Sequence, residues 1–524
     1  MIMLEDNLEN LSKREKIGQF FFPAAFINDS QEEIQRLETL IKKFHIGGLT
    51  FFHSRASAAT NFEGKKKITR NENSLQRLKE LIEHYQSIAP TPLLMSIDAE
   101  WGLAMRVENT PQYPYALTLG ALPDHQNELI FQTGKQIGND LANIGIHINL
   151  APVADINMNT DNPVIGYRSF GENKVKVSQK ALSFHNGTKE AGVLSCFKHF
   201  PGHGDTNVDS HLGLPVINKS KAEIFDQELY PFIKAIESGI DSIMVGHLAI
   251  PSLSNGQHIS ATLSKDISKG LLREELGFTG VVISDALNMH SVSKLYQEKG
   301  LLEWKAFDAG NDILCFSEHV EEGIQMIGKK ASDHQVEASF NRIWKMKQKA
   351  FSLQRSSIAP ATSKVHSVLN QKIAQQTITM IKGSPQTLEK FKTVTFEAIC
   401  IGKPICTFFD TIEGHINFKK YEYHEEDISE YNTKNILIAL FPPSVKPIHN
   451  FGLERKMIDY IQNLSESNQV TLYLFGNPYV LRVLNIAQIE NIILAYQDFK
   501  EFQEVAGQHF LGKQKANGNI PVTL

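Results

Sequence analysis

The chain is poor in cysteine. Its four, Cys196, Cys315, Cys400 and Cys406, are scattered and form no C-x-x-C pair, so neither a disulfide framework nor a zinc ribbon is indicated. No block of basic residues occurs and the formal net charge is −5, which argues against nucleic acid as a partner. No apolar run approaches the roughly 20 residues that a membrane-spanning helix needs. The opening MIMLEDNLENLSKREK is acidic and polar where a signal peptide carries a basic start and an apolar core. A soluble, cytoplasmic, monomeric protein is expected, unless a leader has been removed. No P-loop and no H-E-x-x-H motif are present, and LFGNP (474–478) has too few glycines for a dinucleotide fingerprint. No cofactor and no metal are expected.

What is present is abundant apolar material. The hydrophobic share is 42% over 524 residues, enough for two or three cores. Eight short apolar runs begin at Ile17, Ile46, Pro92, Gly145, Gly192, Asp241, Gly280 and Ala309. Buried parallel strands read as such continuous runs, and helices must carry the crossovers between them. The stretches 31–44 and 74–86 show the helical apolar period. Eight β/α units in this length predict a (β/α)8 TIM-type barrel, whose usual size is about 250 residues before insertions; an open doubly wound sheet is the alternative. The barrel is expected over 1–351 and a Ser/Pro/Ala-rich linker over 352–368. A C-terminal α/β sandwich domain with a mostly parallel sheet follows over 369–524, on five further apolar runs from Thr377, Phe396, Asn435, Gln469 and Asn491.

Polar residues fall at the ends of the first set of runs: Asp98 at the third, Lys198 and His199 at the fifth, His247 at the sixth and Asp285 at the seventh. In a barrel these ends converge on the face that carries active sites. The stretch KHFPGHGDTNVDSH (198–211) allows three readings. As a metal site it has His199 and His203 at i, i+4, but Pro201 and Gly202 between them argue against a helix. As a polar turn it has the right composition. As a catalytic loop it places Asp209 and His211 at i, i+2, on one side of an extended backbone. The carboxylate could then fix the imidazole tautomer and free the other nitrogen for proton transfer. Gly202 and Gly204 would make that loop mobile. Asp285, after VVIS, is the candidate nucleophile.

On these strings the sequence resembles glycoside hydrolase family 3, in particular its bacterial β-N-acetylglucosaminidases. The resemblance runs from LSKREKIGQFF through SIDAEWG, NLAPVADI, NPVIGYRSFGE, FKHFPGHGDTNVDSH and GFTGVVISDALNM to GNIPVTL. It implies a barrel followed by an α/β sandwich domain, and retaining hydrolysis of terminal N-acetylglucosamine from a carbohydrate substrate. By position, Asp285 is then the nucleophile and His211, assisted by Asp209, the general acid/base. Asp98, Arg106, Arg168, Lys198 and His199 hold the sugar. Cell-wall turnover fragments and chitooligosaccharides are the substrates such enzymes would meet. Phosphorolysis, a β-glucosidase-type hydrolase and a non-catalytic sugar-binding relative are the alternatives. One departure stands out. The family's usual string after the sugar-binding aspartate is close to D-Q-E-G-G-R-V-x-R, and here it reads DAEWGLAMR. Trp101 and Leu103 replace a glycine and an arginine, which bears on aglycone preference. His203 and Asp205 are expected to hold the loop's shape, and Asp155 and Asn157 to cap a turn. Cys196 and Cys315 are expected as small buried strand residues.

Overall fold

The computed structural model describes residues 11–53, 73–206, 213–353, 363–404, 406–423 and 432–524. They divide into two compact units. The first holds Met1–Tyr113, Phe131–Ile156 and Val177–Thr362; the second holds Pro114–Ile130, Asn157–Lys176 and Ser363–Leu524. Two stretches from within the first 351 residues thus group with the second unit. The helix Ser363–Thr377 begins inside the span expected as a linker.

The first unit is a closed parallel barrel. β1 (Phe21–Phe22) and β2 (Ala24–Phe26) are one strand interrupted at Pro23, which has no N–H to give to a ladder. From β2 the sheet runs through β3 (Gly48–Phe52), β4 (Leu94–Ile97), β5 (Ile148–Asn149), β6 (Leu194–Phe200), β7 (Ser242–Val245) and β8 (Val281–Ser284). β9 (Leu314–Cys315) pairs in parallel with β1 and bridges to β8 through Ile283 and Ile313, so the ring closes. The open-sheet alternative is overturned. The runs from Ile17, Ile46, Pro92, Gly145, Gly192, Asp241, Gly280 and Ala309 each supply one strand position.

The outer helices form where the periodicity places them. Helix Gln31–Phe44 starts at Ser30, whose side chain accepts from the Glu33 N–H while Glu33 reaches back to the Ser30 N–H. This reciprocal cap satisfies two otherwise open donors. The helix buries Ile34, Leu37, Ile41 and Phe44, each worth roughly 1.5–3 kcal/mol. Helix Ser74–Ile88 follows the same pattern with Leu78, Leu81, Ile82 and Tyr85 inward.

Helix Asp333–Ser352 absorbs the polar groups at the amino ends of the strands. Asp312, fully buried before β9, accepts from Ser339 Oγ at 2.7 Å, from Arg342 Nη2 at 2.7 Å and from Arg273. Lys347, also fully buried, donates to the Gln19 side chain at 2.5 Å and to the Pro92 carbonyl at 2.6 Å. Burial pushes its ammonium down to about 7, against about 10.4 in an unfolded chain. Below pH 7 both states hold the proton, and the fold carries a buried charge. Between 7 and about 10 only the unfolded state holds it, so this residue's contribution to stability rises with pH. We expect urea midpoints of Lys347→Met and the native protein to show this directly. The variant's relative stability should be greatest near pH 6 and fall by a few kcal/mol toward pH 9.5. A pH-independent difference would mean that Lys347 titrates normally.

The second unit has a sheet in the order β10 (Thr379–Lys382), β15 (Asn491–Leu494), β14 (Gln469–Leu474), β13 (Asn435–Leu440), β11 (Glu397–Ile401) and β12 (Lys419–Glu422). It is parallel except for β10, which pairs antiparallel to β15. The five apolar runs supply five of these strands. β12, KKYE, escaped the sequence reading because it is an edge strand with no buried position, and edge strands carry charge.

Candidate active site

The polar residues of the barrel gather at the carboxyl ends of its strands. β4 ends in Ile97, and the chain then leaves through Asp98. The Asn149 side chain on neighbouring β5 accepts from the Ala99 N–H at 3.1 Å, which fixes this exit. Asp98 Oδ2 accepts from Arg106 Nη2 at 2.8 Å and Oδ1 from Lys198 Nζ at 2.8 Å. Lys198 Nζ also lies 2.8 Å from Glu100 Oε1, with its own side chain only 2% exposed. Two cations and two carboxylates thus balance in a nearly dry site. Burial would raise the Asp98 carboxyl, but the charges and hydrogen bonds of Lys198 and Arg106 outweigh it and hold Asp98 well below the usual range. Asp98 is therefore ionised throughout the neutral range, with both oxygens aimed by protein donors.

The turn after Asp98 carries the two departures in DAEWGLAMR, Trp101 and Leu103. Gly102 adopts φ +92°, and a Cβ there would lie 2.7 Å from the Tyr113 ring. Leu103 is buried and Trp101 half-buried, with the Trp101 carbonyl accepting from the Tyr113 N–H at 3.0 Å.

β6 is buried along its whole length, Lys198 and His199 included. His199 is gripped by Asp155, whose side chain is fully buried after β5. Nδ1 of His199 lies 2.7 Å from Asp155 Oδ2, and the His203 N–H donates to Asp155 Oδ1 at 2.7 Å. The loop that follows is packed. Gly204 has no room for a Cβ, which would fall 1.6 Å from the Ile156 carbonyl, and Gly202 at φ +130° abuts Glu228. Both glycines allow close approach of the backbone. His203 Nδ1 lies 2.8 Å from Thr206 Oγ1, and burial pushes its imidazole down to about 4. Lys219 ties Asp205 at 2.6 Å to Glu228 at 2.5 Å. His203 and Asp205 hold the loop's shape, as expected.

β8 delivers Asp285. Its N–H donates to the Val245 carbonyl at 3.0 Å, and its Oδ1 accepts from the Ala286 N–H at 2.8 Å. His247, fully buried, lies with Nε2 3.0 Å from the Ala286 carbonyl and Nδ1 2.8 Å from Thr262 Oγ1. It holds the segment beside Asp285 in place. Cys196 on β6 and Cys315 on β9 are buried, as expected. Burial pushes both thiols up to about 12, and the carboxylates of Asp98 and Asp285 each add to the rise. Among the described residues no group of three or more His, Cys, Asp and Glu side chains could hold a metal ion, and no helix is long and apolar enough to cross a membrane.

Residues 12–346 match the glycosyl hydrolase family 3 N terminal domain. The chain belongs to glycosyl hydrolase family 3. Beta-hexosaminidase A of Pseudoalteromonas piscicida is 33% identical over 379 residues, which are 66% of this chain and 61% of that protein. The chain thus spans about three-fifths of that relative. Beta-hexosaminidase of Neisseria meningitidis serogroup C is 32% identical over 47% of this chain and 68% of its own length. A family 3 beta-N-acetylglucosaminidase from Paenibacillus sp. str. FPU-7 shares the fold over 98% of this chain and 99% of its own, with TM-score 0.77 and 24% identity. A beta-glucoside phosphorylase shares it with TM-score 0.79 and 19% identity over 99% of this chain and 95% of its own.

Of the residues singled out in the sequence, Asp98, Arg106 and Lys198 meet in one hydrogen-bonded cluster, His199 is bonded to Asp155, and Asp285 follows the end of β8. Arg168 belongs to the second unit, on the turn Gly166–Arg168, where its Nη1 donates to the Val164 carbonyl at 3.3 Å. Asn157 also belongs there, its amide donating to the Tyr479 hydroxyl at 2.9 Å. Asp209 and His211 lie outside the described residues. Sequence reasoning underrated Asp155. Its place at a strand exit in NLAPVADI was visible, but its partners come from a strand 44 residues away.

Proposed function

We propose that this chain is a retaining, exo-acting β-N-acetylglucosaminidase. The observation that carries the reading is the Asp98 carboxylate, held ionised between Lys198 and Arg106 at the carboxyl end of β4, in a family 3 barrel whose strand β8 ends at a second carboxylate, Asp285. A carboxylate whose geometry is set by two cations accepts hydrogen bonds from sugar hydroxyls without moving, and Lys198 and His199 supply further polar contacts. Asp285 attacks the anomeric carbon and forms a glycosyl ester, while His211, oriented by Asp209, protonates the departing oxygen. In the second step His211 takes a proton from water as the ester is cleaved. An unperturbed imidazole, with pKa about 6.5, suits both directions near neutrality. Terminal N-acetylglucosamine on cell-wall turnover fragments or chitooligosaccharides is the substrate class, met in the cytoplasm. The names of the relatives and the Asp-x-His pair support this choice over a glucosidase.

The deciding measurement compares nitrophenyl N-acetylglucosaminide and nitrophenyl glucoside, with and without inorganic phosphate. The acetamido substrate should be preferred on the order of 10²–10⁴-fold in kcat/KM, because a site built for it leaves polar groups unpaired when the amide is missing. Phosphate should change neither rate nor product. Equal rates on the two glycosides would return the reading to an unspecific family 3 hydrolase. Release of a sugar 1-phosphate would establish a phosphorylase.

A further inference from the structure

Asp155 makes more hydrogen bonds than a turn cap needs. Its Oδ1 accepts from the His199 N–H at 3.1 Å and the His203 N–H at 2.7 Å. Its Oδ2 accepts from the His199 N–H at 3.2 Å and faces His199 Nδ1 at 2.7 Å. The side chain has no solvent exposure, and its neighbours Ala154 and Lys198 are joined by a 2.6 Å backbone hydrogen bond. Both oxygens accept backbone N–H groups, from His199 and His203, and donors of this kind favour the ionised carboxylate whatever the charge of the His199 ring.

An ionised carboxylate only accepts, so the His199 nitrogen against it must donate. Nδ1 therefore carries a proton. In a neutral imidazole the other nitrogen, Nε2, is then an acceptor. We infer that Asp155 is a positioning residue that fixes the tautomer of His199, so that the neutral ring offers Nε2 as an acceptor to a hydroxyl that donates. This rests on the reading above, in which His199 touches the sugar. It deepens that reading by naming the polarity of the contact: Asp98 and His199 both accept, while Lys198 and Arg106 donate. Because Asp155 also holds the His203 amide, the same carboxylate sets the start of the loop that leads toward Asp209 and His211.

Asparagine at 155 separates the two tasks. Its single oxygen can keep both backbone amides at the Oδ1 position. Its NH2 then faces Nδ1 and can only donate, which forces the proton of a neutral ring to Nε2. The first measurement is the nitrogen-15 spectrum of histidine-labelled protein without substrate, with the His199 signals identified by their loss in His199→Gln. In the neutral ring, the native protein should carry the His199 proton on Nδ1 and Asp155→Asn should carry it on Nε2. The second measurement uses N-acetylglucosaminides with each ring hydroxyl replaced in turn by fluorine, which cannot donate. One replacement should cost the native enzyme about 2- to 10-fold in kcat/KM, the worth of one hydrogen bond. The same replacement should cost Asp155→Asn less, while the melting temperature stays within a few degrees.

A native His199 protonated only on Nε2 overturns the inference, whether or not Asp155→Asn folds. A tautomer and fluorine profile unchanged in Asp155→Asn overturns it as well. If the tautomer behaves as expected but no N-acetylglucosaminide is cleaved, Asp155 keeps its role and the functional reading fails instead.

Discussion

Asp285→Ala is expected to fold, to bind N-acetylglucosamine and to lose turnover on the order of 10⁴–10⁶-fold, the scale seen when a covalent nucleophile is removed. Asp285 sits at the end of a fully buried strand and is held by the Val245 carbonyl through its own N–H, so truncating its carboxylate leaves the backbone exit intact. A fluorinated glycoside, which forms the glycosyl ester faster than it is hydrolysed, should label Asp285 in the native enzyme. Peptide mass then identifies the carboxylate. Labelling of another acid would rule this assignment out. Isothermal titration of Asp285→Ala with N-acetylglucosamine checks that the Asp98 cluster still binds.

His211→Ala should show a dependence on leaving group that no structural role would produce. A sugar alkoxide needs its proton to depart, whereas a dinitrophenolate hardly does. Disaccharide cleavage should therefore fall about 10²–10⁴-fold, the range usual for general acid catalysis. With a dinitrophenyl glycoside the first step should be nearly spared and the second should stall, because in the proposed mechanism the same residue is the base for water. The expected trace is a burst of phenolate and a slow steady state, relieved by azide, which attacks without a base. Asp209→Asn should give a weaker form of the same pattern, since the imidazole stays but loses its orienting partner. Equal losses on both substrates, with no burst and no azide relief, would make His211 a binding residue and send the search for the acid elsewhere. His247 would be a poor replacement, because both its ring nitrogens already lie against Ala286 and Thr262.

The sequence by itself determined the parallel α/β class and the eight strand positions, because burial on both faces forces each parallel strand to be a continuous apolar run; closure into a barrel was decided by the pairing of β9 with β1 and β8. It also placed Asp98, Lys198, His199, His247 and Asp285 at strand ends, since each interrupts an apolar run where that run finishes. Local pattern did not reach the edge strand Lys419–Glu422, whose exposure leaves no periodicity to read. Nor did it show that 114–130 and 157–176 group with the second unit, because membership in a core depends on contacts far apart in sequence. Only the tertiary structure decided the partners of each charge. Lys198 lies 100 residues from Asp98, and His199 lies 44 from Asp155; a spacing of that kind has no signature along the chain. The glycines make the same point: Gly202 and Gly204 read as freedom in one dimension, and in three they are the places where Glu228 and the Ile156 carbonyl leave no space for a side chain.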